Sequence, residues 1–138
     1  MNRLLPCLLW LVVATTAAAE DARVRVDLPP PMRDHMLGNM RDHLEVIDTL
    51  LGQLAAGAHD QAAELAETRL GMSSLGSHGA EHMAPYMPEG MRAIGSSMHR
   101  AASRFARVVV EGDAAATLAA LREVTAACTA CHRGYRVH

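Results

Sequence analysis

Apolar residues return every three or four positions through most of this chain. Between Pro31 and Gly57 they fall at Leu37, Met40, Leu44, Ile47, Leu51 and Leu54. Such steps line up one stripe of an α-helix. The spacing predicts a helix that opens in the Pro29-Pro30-Pro31 run and stops at Gly57. Asp60 is the expected cap of a shorter second helix with Ala62, Leu65, Arg69 and Met72 along one side, leaving at Leu70-Gly71. Residues 73–90 lose the rhythm at Gly76, Gly79, Pro85, Pro88 and Gly90, so a long loop is expected. The rhythm returns at Met91, Ile94, Met98, Ala101, Phe105 and Val108. After Gly112 and the capping candidate Asp113 it returns once more, at Leu118, Leu121, Thr125, Cys128, His132 and Tyr135.

Four amphipathic helices with no strand pattern and no repeat predict an all-α, antiparallel up-down-up-down four-helix bundle. Composition agrees: aromatic residues make up 3% of the chain, and Ala, Leu and Met dominate the periodic positions. The first 19 residues read differently. Arg3, an apolar run from Leu4 to Val13 and the small-residue stretch Ala17-Ala18-Ala19 have the layout of a secretory signal peptide cleaved before Glu20. The apolar run is shorter than the roughly 20 residues a bilayer span needs. The expected mature domain is therefore 20–138, delivered to the periplasm. It keeps twelve arginines and no lysine against fifteen acidic residues, a formal charge of −3. No basic patch stands out, so nucleic acid is not an expected partner.

Cys7 leaves with the signal, and the other two cysteines stand together in Cys128-Thr-Ala-Cys131-His132. A redox dithiol is one reading, but it favours a helix N-terminus, and this pair lies near a C-terminal end where the dipole opposes a thiolate. A zinc site needs four ligands, and no second pair stands at a matching spacing. A chance pair closing a disulfide is a third reading. Haem attachment uses all three residues: two thiols for the two vinyl groups on one porphyrin edge, and an imidazole beside them for the iron. It takes one covalent haem c.

The motif continues as Arg133-Gly134-Tyr135-Arg136. Throughout this stretch the chain resembles the class II c-type cytochromes, the cytochrome c′ family, which also carry a signal peptide and place Cys-x-x-Cys-His late in the last of four helices. The resemblance implies thioether bonds from Cys128 and Cys131, His132 as proximal iron ligand, and Arg136 or Arg133 beside a haem propionate. In that family an arginine on the first helix precedes the distal residue by four positions. Counting from Arg33 gives Leu37, an apolar distal wall that cannot bind iron. Leu44-Glu-Val-Ile47 also resembles the first helix of the periplasmic b-type four-helix cytochrome, and that alignment again gives Leu37. Met40, on the predicted stripe, is the candidate sixth ligand, and Met36, off it, a weaker one. His35 and His43 flank the stripe and are expected at the surface. The resemblance further implies one-electron transfer to periplasmic redox partners, or binding of NO or CO at the iron, without enzymatic catalysis, and a homodimer in some members.

His78, His82, Met83, Met87, Met91, Met98 and His99 surround the loop. Thioethers and imidazoles suit Cu(I), so a periplasmic copper-binding Met/His-rich helical protein is the rival reading. In a milder version the loop covers a haem edge and one of its residues reaches the iron.

Overall fold

A computed structural model describes residues 20–138; the expected signal peptide lies outside the described residues. The described chain is mostly helical: α1 spans Pro30–Ala55, α2 His59–Arg69, α3 Ala80–Met83, α4 Glu89–Val109 and α5 Ala114–Gly134. Pro30 and Pro31 occupy the first turn of α1, where a missing N–H leaves no bond unmade. Gly57 ends the α1 segment with φ 69°, a left-handed conformation that glycine adopts without a Cβ penalty. Asp113 caps α5 as expected, its Oδ1 accepting from the Ala116 N–H at 2.9 Å. Asp60 is not the cap of α2. The helix starts at His59 without a side-chain cap, and Asp60 sits in its first turn, where a carboxylate still favours the dipole.

Backbone packing runs from α1 to α2, α2 to α4 and α4 to α5. The larger core holds Val46, Leu50, Ala62, Ala66, Leu70, Phe105, Val109 and Val124. A second cluster gathers Val26, Met36, Met83 and Met91, with Cys131 and Tyr135 packed against it. The segment 73–90 is not open loop. It folds into a 3₁₀ turn at Met72–Ser74, the one-turn helix α3 and a 3₁₀ turn at Ala84–Tyr86. Two strands that sequence patterning missed also appear. β1 (Val24–Arg25) pairs in parallel with β2 (Tyr135–Arg136), so the lead-in is tied to the residues just after α5. Two residues per strand carry no alternation to read.

Two helices are rotated from their expected faces. On α1 the buried residues are Met36, Val46 and Leu50; Leu44 is 72% exposed and Leu51 49%. The true stripe runs through Met36, His43, Val46 and Leu50, one residue behind the predicted one. On α5 the buried residues are Thr117, Leu121 and Val124, while Leu118 is 59% exposed. That stripe continues through Cys128, Cys131 and Tyr135, and His132 lies beside it. Both helices carry apolar side chains on two adjacent stripes. Packing selected the stripe with small and polar members.

Candidate functional site

The last two turns of α5 bring Cys128, Cys131 and His132 to one end of the molecule. Cys128 is half-buried against the larger core, and Cys131 is half-buried against the second cluster. Burial pushes both thiols above their ordinary pKa, and for Cys131 the neighbouring Cys128 adds to the rise. They are therefore protonated thiols at neutral pH. The His132 ring is exposed, and it faces a cavity of about 540 Å³. Ligand-holding clefts run from roughly 300 to 1,000 Å³. Residues from α1, the 73–90 segment, α4 and the end of α5 all line it, with Cys131, His132 and Tyr135 on the α5 side.

On the α1 side stand Met36, Leu37, Met40 and His43. Met36 is buried, Leu37 half-buried, and Met40 36% exposed at the rim. The expected surface position of His43 is corrected by the rotation of α1. Its ring is half-buried, and its Nε2 is fully enclosed without a hydrogen-bond partner. His35 does stay exposed, its Nε2 close to Gly79.

The 73–90 segment and α4 form the remaining wall. Met83, Met87, Met91 and Met98 line the cavity with His78 and His99; His82 is exposed and outside it. Three imidazoles meet here. The His43 and His78 ring centroids are 4.8 Å apart, and those of His78 and His99 5.3 Å. His99 Nδ1 lies 2.8 Å from the Leu70 carbonyl, which can only accept, so Nδ1 carries the proton. The Ser74 hydroxyl donates to the Gly71 carbonyl at 2.7 Å and faces His78 Nδ1 at 3.4 Å. Burial, then repulsion from His78 and His99, lowers the pKa of His43 to about 4. Burial lowers His78 as well, with His99 adding to it. Sequence reasoning gave His43 no part here because only the fold brings α1 and the loop together.

The cavity lining also carries basic groups. Arg23, Arg92 and Arg136 line it. Arg136 Nη1 donates to the His138 carbonyl at 2.7 Å, and its Nε lies 3.4 Å from Asp21 Oδ2, close but not aligned for a hydrogen bond. Arg92 has no carboxylate partner among the described residues. Arg133 turns away, onto a shallow groove on the outer face of α5. Arg33 pairs with Asp34 instead of entering the cavity.

The sequence profile described as Cytochrome C′ matches residues 32–136, from the start of α1 through the end of the α5 motif. The chain belongs to the cytochrome c′ family. No curated protein and no solved structure matches it. Membership makes the chain a haem-binding cytochrome, of a family of electron carriers and gas-binding proteins rather than classic enzymes. The residues present fit that group. The cavity is mostly apolar, the His132 imidazole and Cys131 line it with Cys128 one helical turn back on α5, and arginines stand among its lining residues. Of the sequence candidates, Cys131, His132, Leu37, Met36, Met40 and Arg136 converge on this cavity, whereas Cys128 is not among its lining residues and packs against the larger core.

Proposed function

We propose that this chain is a periplasmic c-type cytochrome of antiparallel up-down-up-down four-helix architecture, holding one haem covalently. It serves one-electron transfer with periplasmic redox partners or binding of NO or CO. The observation that carries the reading is His132 opening onto a 540 Å³ cavity, with Cys131 beside it in the lining and Cys128 one turn back on α5. Bound haem supplies an iron that changes charge by one electron and can take a further ligand.

The chain's own residues do the rest. Cys128 and Cys131 would hold the porphyrin through thioether bonds. His132 would supply an imidazole nitrogen to the iron. The thioethers of Met36, Met83 and Met91 exclude water and lower the local dielectric, which raises the weight of every charge at the site. Arg136 and Arg92 line the same cavity and would pair with the propionates. Leu44 and Leu51, projecting from α1, suit the homodimer that the family resemblance allows.

Six methionine thioethers around one cavity also suit Cu(I), so the copper reading has a specific observation behind it. One experiment separates the two. Export the chain in a host that matures c-type cytochromes, with and without Cys128→Ala and Cys131→Ala together. The haem reading predicts colour that survives denaturation in the parent and is lost in the double variant. Colourless parent protein that retains copper through dialysis contradicts it.

A further inference from the structure

The chain ahead of α1 is fastened to the site, and family membership does not account for it, because the matched profile opens at residue 32. Val24–Arg25 pair in parallel with Tyr135–Arg136, the residues that directly follow α5, and the Val26 N–H donates to the Arg136 carbonyl at 2.8 Å. A ladder of two residues does not hold itself. Side chains hold this one. Val26 is 3% exposed, in the cluster with Met36, Met83 and Met91, and both Leu28 and Cys131 pack against that cluster. Pro29, Pro30 and Pro31 then restrict the backbone between this segment and the body of α1.

Charged groups tie the same segment to the motif. The Asp21 carboxylate accepts from Arg23 Nη2 at 2.7 Å and Nε at 2.9 Å, and lies 3.4 Å from Arg136 Nε. Arg23 and Arg136 both line the cavity. Arg23 Nη1 in turn donates to the His132 carbonyl at 3.5 Å. That carbonyl lies in the last turn of α5, and the residue four positions on, Arg136, has already left the helix for β2. Carbonyls there lack a donor from their own helix, and a cation beside them favours the helix dipole. Resting on the haem reading above, we propose that residues 21–28 form a strap that positions His132 and keeps water from the Cys131 side of the haem site, with Arg23 as its positioning residue. Docked, the strap fixes the end of α5 and holds two arginines at the cavity. Undocked, it admits water to Cys131 and the methionines, which favours the more highly charged ferric iron. Loss of Arg23 alone acts in the same direction, because a cation goes and the Asp21 carboxylate loses its partner.

The test uses the exported, haem-loaded protein, with intact mass to establish covalent haem. Amide hydrogen exchange at Val26 reads docking of the strap. Redox potentiometry and the hyperfine-shifted His132 ring protons in the ferric NMR spectrum read its effect on the site. Val26→Asp puts a charge into the buried anchor, and Arg23→Gln removes the His132 contact while leaving the apolar anchors in place. The proposal expects a protected Val26 amide in the parent and a loss of roughly tenfold or more of that protection in Val26→Asp. Both variants are expected to show a lowered potential and displaced His132 resonances with haem still covalently held. Arg23→Lys, which keeps the cation, is expected to fall between Arg23→Gln and the parent. Should Val26→Asp fail to fold, Arg23→Gln decides, since Arg23 is exposed. A parent whose Val26 amide exchanges at the free-chain rate overturns the proposal. So do an unchanged potential and unchanged His132 resonances in Arg23→Gln. Either result, with haem covalently held, leaves the cytochrome assignment standing. A parent that carries no covalent haem overturns that assignment first, and the proposal with it.

Discussion

Leu50 and Leu51 are neighbours on α1, and the rotation of that helix gives them opposite fates. Leu50 is 0% exposed, inside the core with Phe105 and Val109; Leu51 is 49% exposed. Leu50→Ala removes three buried carbons. At roughly 0.8 kcal/mol per methylene this forfeits about 2.4 kcal/mol of transfer energy. The space left is closed on all sides, so a cavity contribution brings the expected loss to about 3–4 kcal/mol. Leu51→Ala removes the same carbons from a half-wet site. The loss there is about 1 kcal/mol, with no closed cavity and a small gain in helix propensity. Urea unfolding of the two haem-loaded variants, followed by far-ultraviolet circular dichroism, should show a wide gap in midpoint with unchanged slope. Equal losses, or a larger loss at Leu51, would refute the rotation. His43 and Leu44 stand one heptad earlier, at matching positions, so the same result decides which of them faces inward.

The other expectations are smaller in scope. A Cβ at Gly90 would lie 2.6 Å from the Tyr135 hydroxyl oxygen. Gly90→Ala should therefore displace Tyr135 and lower the thermal midpoint, and adding Tyr135→Phe should recover most of the loss. Asp113→Ala deletes the cap on Ala116 and should cost about 1 kcal/mol in the same unfolding assay. Acid should weaken the fold in a defined window. Unfolded histidine takes a proton near pH 6.5, folded His43 only near 4, so the unfolded chain binds more protons in between. Stability is complete above about 6.5 and falls as pH drops toward 4. Unfolding midpoints across that range check it, and a flat profile, or no shallowing in His43→Gln, would count against the burial of that imidazole.

Much of this was legible in the chain. The four long helices, their breaks at Gly57 and Gly112, the Asp113 cap and the Cys128–His132 motif all follow from local rules, and local rules hold where the backbone itself decides. The faces of α1 and α5 do not follow. Each helix offers two apolar stripes, and counting leucines favoured the one with Leu44, Leu51 and Leu118. The stripe that packs includes His43 and Thr117, side chains whose burial makes sense only beside a cavity and another helix. The imidazole group was hidden for the same reason. His43, His78 and His99 are 35 and 21 residues apart in sequence. They meet only because the 73–90 segment folds onto the gap between α1 and α4.

The most direct test of the account is the intact mass of the exported, mature protein under denaturing conditions, with a thiol-alkylating reagent present. The account predicts one species, heavier than the polypeptide by a single haem, with neither Cys128 nor Cys131 alkylated. A species at polypeptide mass plus two alkyl groups would contradict it.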